Sequence, residues 1–131
     1  MEPTYEWRGD FDDAEVNALH ARGFSHPLRD DEWHARVERH SLGWVCARAG
    51  TALIGFVNVP WDGGAHAFIV DTLVAPRERR QGVGTRMIEI AAEEARAAGC
   101  EWLHADFDEG LSAFYVGSCG FVPTSAGLMA L

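Results

Sequence analysis

The stretch Val74-Ala-Pro-Arg-Glu-Arg-Arg-Gln-Gly-Val-Gly-Thr-Arg-Met87 decides how the rest of this 131-residue chain is read. An apolar run, residues 68–74, leads into it and reads as a strand. Pro76 ends that strand, because proline has no N–H to give a ladder. Arg77, Arg79 and Arg80 come next, then Gly82 and Gly84. Beyond them Val83, Met87, Ile90, Ala91 and Ala95 recur at helical spacing on one face, with Arg86, Glu89, Glu93 and Arg96 on the other. Strand, glycine turn and helix start together make an anion site. Glycines let the backbone approach a ligand, the free N–H groups and positive dipole end of the helix face it, and arginine suits phosphate.

Three ligand motifs compete for this stretch. A P-loop needs Gly-x-x-x-x-Gly-Lys-Ser/Thr, and the chain contains no lysine. A dinucleotide fingerprint needs Gly-x-Gly-x-x-Gly directly after a strand. Here Met87 takes the third glycine position, and a proline and arginines intervene. What remains is Arg79-x-x-Gly82-x-Gly84 preceded by Val-x-Pro. It resembles the pyrophosphate-binding motif of the GNAT family of N-acetyltransferases. The plain alternative is a glycine turn carrying a solvated arginine cluster.

A second motif lies downstream: Leu111-Ser-Ala-Phe114-Tyr115-Val-Gly-Ser-Cys-Gly120-Phe121. It resembles the same family's Phe/Leu-Tyr-x-x-x-x-Gly-Phe. The motifs cover residues 70–122, and the first half matches only in element order. The resemblance implies an α/β (α+β) fold with a mixed, mostly antiparallel sheet, a splayed parallel strand pair and helices on both faces. It implies acetyl-CoA (coenzyme A) as cosubstrate; no metal is expected, because no ligand spacing among His66, His104 and Asp106 supports one. Leu73 and Val74 would pair through their backbone with the pantetheine arm, as an added strand does. The N–H near Val74 would also face the acetyl carbonyl. The loop Arg79, Arg80, Gln81, Gly82, Val83, Gly84 and Thr85 would hold the pyrophosphate.

The reaction needs an acid and a base. Tyr115 would protonate the departing thiolate, a task suited to a phenol with pKa about 10. Its other reading is a packing aromatic beside Phe114. The asparagine that opens this helix in the family is Asp108 here, a poor neighbour for an anionic cofactor. An ammonium acceptor must lose a proton before it attacks, and Asp71 on the incoming strand is the foremost base. His66 and Asp106 are further candidates, with His104 beside them. Each has the alternative of a solvated or structurally satisfied polar residue.

Composition sets the bounds. At 131 residues, 47% hydrophobic and 24% charged, the chain is expected to form a single domain, residues 1–131, with a real core. No apolar run approaches a membrane span and no signal peptide is read, so a cytoplasmic protein without membrane partner is expected. Three cysteines without metal spacing suit a reducing compartment. A net charge of −9 argues against nucleic acid as a partner. Against it, Arg77, Arg79, Arg80 and Arg86 form a positive island, opposed only by Glu78.

The remaining elements are expected in the order βααβββαβαβ. A strand at 4–8 precedes a helix capped by Asp12 or Asp13, with Val16, Leu19 and Phe24 inward and Gly23 at its end. A second helix spans 30–39, with Trp33 and Val37 on one face. Strands at 43–48, 53–60 and 65–74 form an antiparallel meander. A crossover helix at 82–98, with Gly99 as its cap, leads to a parallel strand at 100–107. A short helix at 110–118 and a last strand or strand pair at 121–131 complete the chain. The expected function is direct acetyl transfer from acetyl-CoA to the amine of a small molecule or peptide, by a monomer or homodimer. The rival is a non-catalytic acyl-CoA-binding or regulatory module on the same fold.

Overall fold

A computed structural model describes residues 2–131. Five strands form one sheet in chain order: β1 Thr4–Trp7, β2 Ser41–Ala49, β3 Ala52–Pro60, β4 His66–Val74 and β5 Trp102–Ala105. The first four pair antiparallel, and β4 pairs parallel with β5. The β2–β3 hairpin closes at Gly50, whose φ of 61° is the left-handed conformation such a tight turn requires. Asp62 turns the chain from β3 into β4 by accepting the Gly64 and His66 N–H groups on Oδ1.

Helices cover both faces. On one, α1 (Asp13–Phe24) and α2 (Trp33–His40) bury Val16, Leu19, Trp33 and Val37 against Trp44 and Phe56 of the sheet. On the other, α3 (Val83–Ala97) buries Val83, Met87, Ile88, Ala91 and Ala95. The close seating of α3 depends on Gly55, where a Cβ would come within 3.0 Å of Met87. Asn17 joins the two short helices: its amide bonds the Asp13 and Asp31 carbonyls and receives the Asp31 N–H and the Trp33 indole N–H. Arg48 forks onto Glu15 at 2.8 and 2.9 Å, tying α1 to β2.

Several expectations are corrected. Helix α1 runs through Gly23 and ends at Ser25 (φ 53°), and Phe24 points out, 53% exposed. Helix α2 begins at Trp33, because the acidic run before it serves as an Asn17-bonded lead-in. In α3 it is Ile88, not Ile90, that is buried, since Ile88 extends the Val83, Met87, Ala91, Ala95 stripe. The single helix at 110–118 is a 3₁₀ turn, Glu109–Leu111, followed by a π-helical turn, Ala113–Ser118. No strand forms over 121–131. Pro123 withdraws a donor and Gly127 weakens the residues after it, and Val122, Leu128 and Met129 stand 84–85% exposed.

Candidate functional site

Pairing between β4 and β5 begins at His66↔Trp102 and stops at Ile69↔Ala105. From Val70 onward β4 has no partner on that side, so the parallel pair opens into a gap. The direction of the β4 backbone in this gap is set by its other ladder. Ala75 donates to the Ile54 carbonyl at 2.7 Å, and β3 is in register as Gly55↔Val74 and Phe56↔Leu73. Antiparallel pairs alternate between bonded and non-bonded positions. Leu73 therefore spends its N–H and C=O on Phe56, while Val74 turns both toward the gap. Of the two expected backbone partners only Val74 is free to act. The side chain of Leu73 is buried.

Between those pairs β4 carries a bulge. Phe56↔Leu73 and Asn58↔Val70 leave Val57 facing both Asp71 and Thr72. Asp71 takes the strain, with φ 53° in the left-handed region, a state that costs about 1–3 kcal/mol for a non-glycine residue. The extra residue re-aims two side chains. Asp71 turns to α1, where its Oδ1 lies 3.4 Å from Nε2 of His20. Thr72 receives the Tyr115 hydroxyl at 3.2 Å.

Tyr115 is buried, 7% exposed, in an aromatic nest. Its ring stacks on Phe107 at 4.7 Å and meets Phe114 and Phe121 edge-on. The π-helical turn sets that orientation: the Cys119 N–H reaches back to the Phe114 carbonyl, and the Phe121 N–H to that of Tyr115. Burial pushes the Tyr115 phenol above its ordinary value, and the bond to Thr72 pulls the other way less strongly. Tyr115 thus keeps its hydroxyl proton at neutral pH.

The arginine loop separates into distinct roles. Arg80 and Gly82 both have positive φ, 64° and 83°, which wraps the chain around the start of α3. The α3 N–H groups of Val83, Gly84 and Thr85 have no carbonyl one turn before them inside the helix. An added Cβ at Gly82 meets nothing within 4 Å, so its glycine answers a backbone need. At Gly84 a Cβ would come within 3.1 Å of Phe114, so that glycine permits close packing of the tyrosine turn on α3. The absent side chain at Gly84 thus has a packing reason within the protein itself, beside the expected approach of a ligand. Arg79 braces the fold, with Nε toward the Val74 carbonyl at 3.4 Å and Nη2 toward the Gly23 carbonyl at 3.3 Å. Gln81 bonds the Arg77 carbonyl at 3.1 Å. The positive island is smaller than expected, because Arg86 is held by Glu89 at 3.2 Å and Glu93 at 3.4 Å. Arg77 and Arg80 are exposed. An open hollow of about 530 Å³ beside Arg77 is lined by Arg22, Leu53, Ile54 and Pro76.

The base candidates part company. His66 opens β4, at the end remote from Val74, and its Nδ1 lies 2.7 Å from Nε2 of His104. Eight residues of strand, about 26 Å, separate it from Val74, so it drops out. Asp106 is exposed just past the last β4–β5 pair. Asp71 stays, with His20 Nε2 3.4 Å from its carboxylate. Thr72 and His20 carry no sequence signal. A threonine in an apolar strand and a histidine on a helix become site residues only through the bulge. Among the described residues no group of three or more His, Cys, Asp or Glu side chains comes together to hold a metal, and no helix is long and apolar enough to cross a membrane.

A mixed sheet whose parallel pair opens beside a glycine-turned helix start is the fold of the acetyltransferases to which this chain is similar. The chain belongs to the Acetyltransferase (GNAT) family, whose model matches residues 4–121. Its fold is similar to that of a GNAT family acetyltransferase from Streptococcus pneumoniae TIGR4, with TM-score 0.80 and 21% identity, covering 99% of this chain and 98% of that one. It is also similar to AAC(6')-Iy, solved in complex with the bisubstrate analog CoA-S-monomethyl-acetylneamine, with TM-score 0.78, 19% identity and coverage of 100% and 98%. In sequence it is 24% identical over 82 residues to a mycothiol acetyltransferase of Rhodococcus erythropolis (strain PR4 / NBRC 100887). That match takes in 63% of this chain but only 27% of the relative.

Proposed function

We propose that residues 1–131 form one N-acetyltransferase domain, which moves an acetyl group from acetyl-CoA directly to the amine of a small molecule or peptide. The reading rests on one observation: Val74 turns its backbone N–H, unused by the β3 ladder, into the gap beyond Ile69↔Ala105. A pantetheine arm is an amide-bearing chain and pairs with such an edge as a strand would. The Arg80–Gly82 turn and the α3 start supply N–H groups for pyrophosphate, with exposed Arg77 and Arg80 adding charge. Arg79 acts through the backbone, by holding the end of β4 to the end of α1. When bound, coenzyme A supplies an activated acyl group and a thiol leaving group. Tyr115 gives a proton to that thiolate, oriented by Thr72. Asp71 accepts the proton that the amine loses.

Calorimetry with acetyl-CoA, together with a free-thiol assay over a panel of amines, tests the proposal. Binding accompanied by amine-dependent thiol release is the expected result. Binding without release from any amine marks a non-catalytic acyl-CoA module instead, and no binding removes the coenzyme A reading.

A further inference from the structure

Strand β5 has one ladder where an inner strand has two. Its inner edge meets β4, and among the described residues nothing pairs with its outer edge. Trp102-Leu-His-Ala105 carries no Asp, Glu, Lys or Arg, the charges that keep sheet edges apart. The opposite edge strand, β1, carries Glu6. The face of the sheet beside the β5 edge is apolar as well. The parallel registers His66↔Trp102 and Phe68↔His104 set those four side chains on one side, and the Phe68 ring stacks on His104 at 4.8 Å. Ala67 and Ile69, which point the other way, are buried. The first side is open: Trp102 is 65% exposed and Phe68 37%.

The tail holds a matching segment. Phe121 is pinned, with its N–H on the Tyr115 carbonyl at 2.9 Å and its ring edge-on to Tyr115 at 5.8 Å. From Val122 to Leu131 every residue is exposed, and no ladder joins the segment to β5 of its own chain. The segment carries no charged side chain, in a protein of net charge −9. Pro123 has no N–H and Gly127 supplies a flexible joint, so the part suited to a ladder is Leu128-Met-Ala-Leu131. It matches β5 in length, and an apolar run without alternation suits a strand covered on both faces. The run from Phe121 to Leu128 spans up to about 25 Å when extended, enough to reach a neighbouring molecule.

We propose that the partner is a second copy of this chain: Leu128–Leu131 of each copy adds to the outer edge of β5 in the other, and the same contact covers Trp102 and Phe68. The contact is two-fold and isologous, since each copy gives a strand and receives one. A tail folded back on its own β5 would fill the edge and still leave Trp102 and Phe68 bare, whereas a second copy covers both. Fully exposed aromatics hold about 150–250 Å² each, so Trp102, Phe68, Val122, Leu128 and Met129 together offer several hundred Å² per copy. With the paired backbone this approaches the roughly 800 Å² that each partner of a standard interface buries. Charge selects the same place. Molecules of net charge −9 repel across most of their surfaces, so association falls on the uncharged edge bounded by the exposed Glu101 and Asp106. The gap beside Val74 lies on the inner edge of β5, apart from this contact.

Sedimentation equilibrium of the full chain tests the association. Wild type is expected at about twice 14.4 kDa in the micromolar range, falling to a single chain on dilution. Met129→Pro removes a ladder donor from a segment that is exposed in the single chain, so the monomer fold is kept. It should raise the dimer Kd about 10-fold or more, and Trp102→Glu should do the same. Met129→Leu should not. Hydrogen exchange at the same concentrations should show the outward amides of residues 102–105 and those of 128–131 protected together in the dimer and exposed together on dilution. A monomer throughout the micromolar range overturns the proposal. So does a dimer that Met129→Pro leaves intact, because its contact is then built elsewhere. Protection of 128–131 that survives dilution to monomer overturns it as well, being the mark of a tail paired with its own β5.

Discussion

Replacing Tyr115 with Phe removes one oxygen and leaves the ring in place, so it separates chemistry from packing. The ring stacked on Phe107 at 4.7 Å keeps its contacts. What goes is a single hydroxyl bonded to Thr72 at 3.2 Å. A neutral bond of that kind contributes about 0.5–1.5 kcal/mol net. For a chain of this length that corresponds to a fall in Tm of roughly 2–6 °C. If Tyr115 is the proton donor, kcat should fall by about 10²-fold, which is about 2.7 kcal/mol of transition-state stabilisation. Affinity for acetyl-CoA should hardly change, because the lost interaction forms as the thiolate leaves. The pH dependence has a fixed sign. Burial raises the phenol above 10, so the donor form persists throughout the neutral range. The stability this gives is complete below pH 10 and is lost as pH rises through the raised folded value. Calorimetry, melting curves and thiol-release kinetics on one variant decide the matter. A Tm drop with kcat intact, and chemistry rate-limiting, refutes the acid role and leaves Tyr115 a structural residue.

The two glycines of the loop should fail differently. Gly84→Ala should lower Tm by crowding Phe114, by about 1–3 kcal/mol of overpacking. Gly82→Ala meets no clash and should chiefly weaken acetyl-CoA binding, through strain at positive φ. Equal losses of affinity at equal Tm would contradict that division. The fork from Arg48 holds Glu15 below the usual carboxylate range, so its contribution is present at neutral pH and lost as pH falls through the lowered value. Melting curves should accordingly show Glu15→Gln losing stability at pH 7, and the gap to wild type closing in acid. Burial pushes the Cys46 thiol up to about 12, and its Sγ lies 3.6 Å from the Gly9 carbonyl. At pH 8 a thiol reagent should therefore leave Cys46 untouched in the native protein and label it in denaturant, as peptide mapping would show.

Local chemistry wrote much of this protein into its sequence. The strand stopped by Pro76, the positive-φ turn at Gly82 and the amphipathic stripe of α3 each depend on neighbours within a few residues, so each is legible there. So is the meander of β2, β3 and β4, marked by turns at Gly50 and Asp62. The tyrosine turn could be placed from Leu111 to Phe121, though its π-helical winding could not. The tail beyond Phe121 shows the limit. Apolar residues at both ends of the tail suggest a strand, but a strand needs a partner ladder, and Pro123 and Gly127 break the run.

The rest of the site depends on long-range register. One extra residue in β4 opposite Val57 turns Asp71 toward α1 and Thr72 toward Tyr115, across sequence separations of 51 and 43 residues. The same register chooses Val74 over Leu73 as the open backbone position, and the early end of β4–β5 pairing makes the gap it faces. Arg86 turns out to be neutralised on its own helix, and His66 lies at the far end of its strand. The family and its anion loop are legible in short-range patterns of glycine, proline and hydrophobicity. Which polar side chains meet is fixed by how strands slide past one another, and a one-residue slip changes every facing.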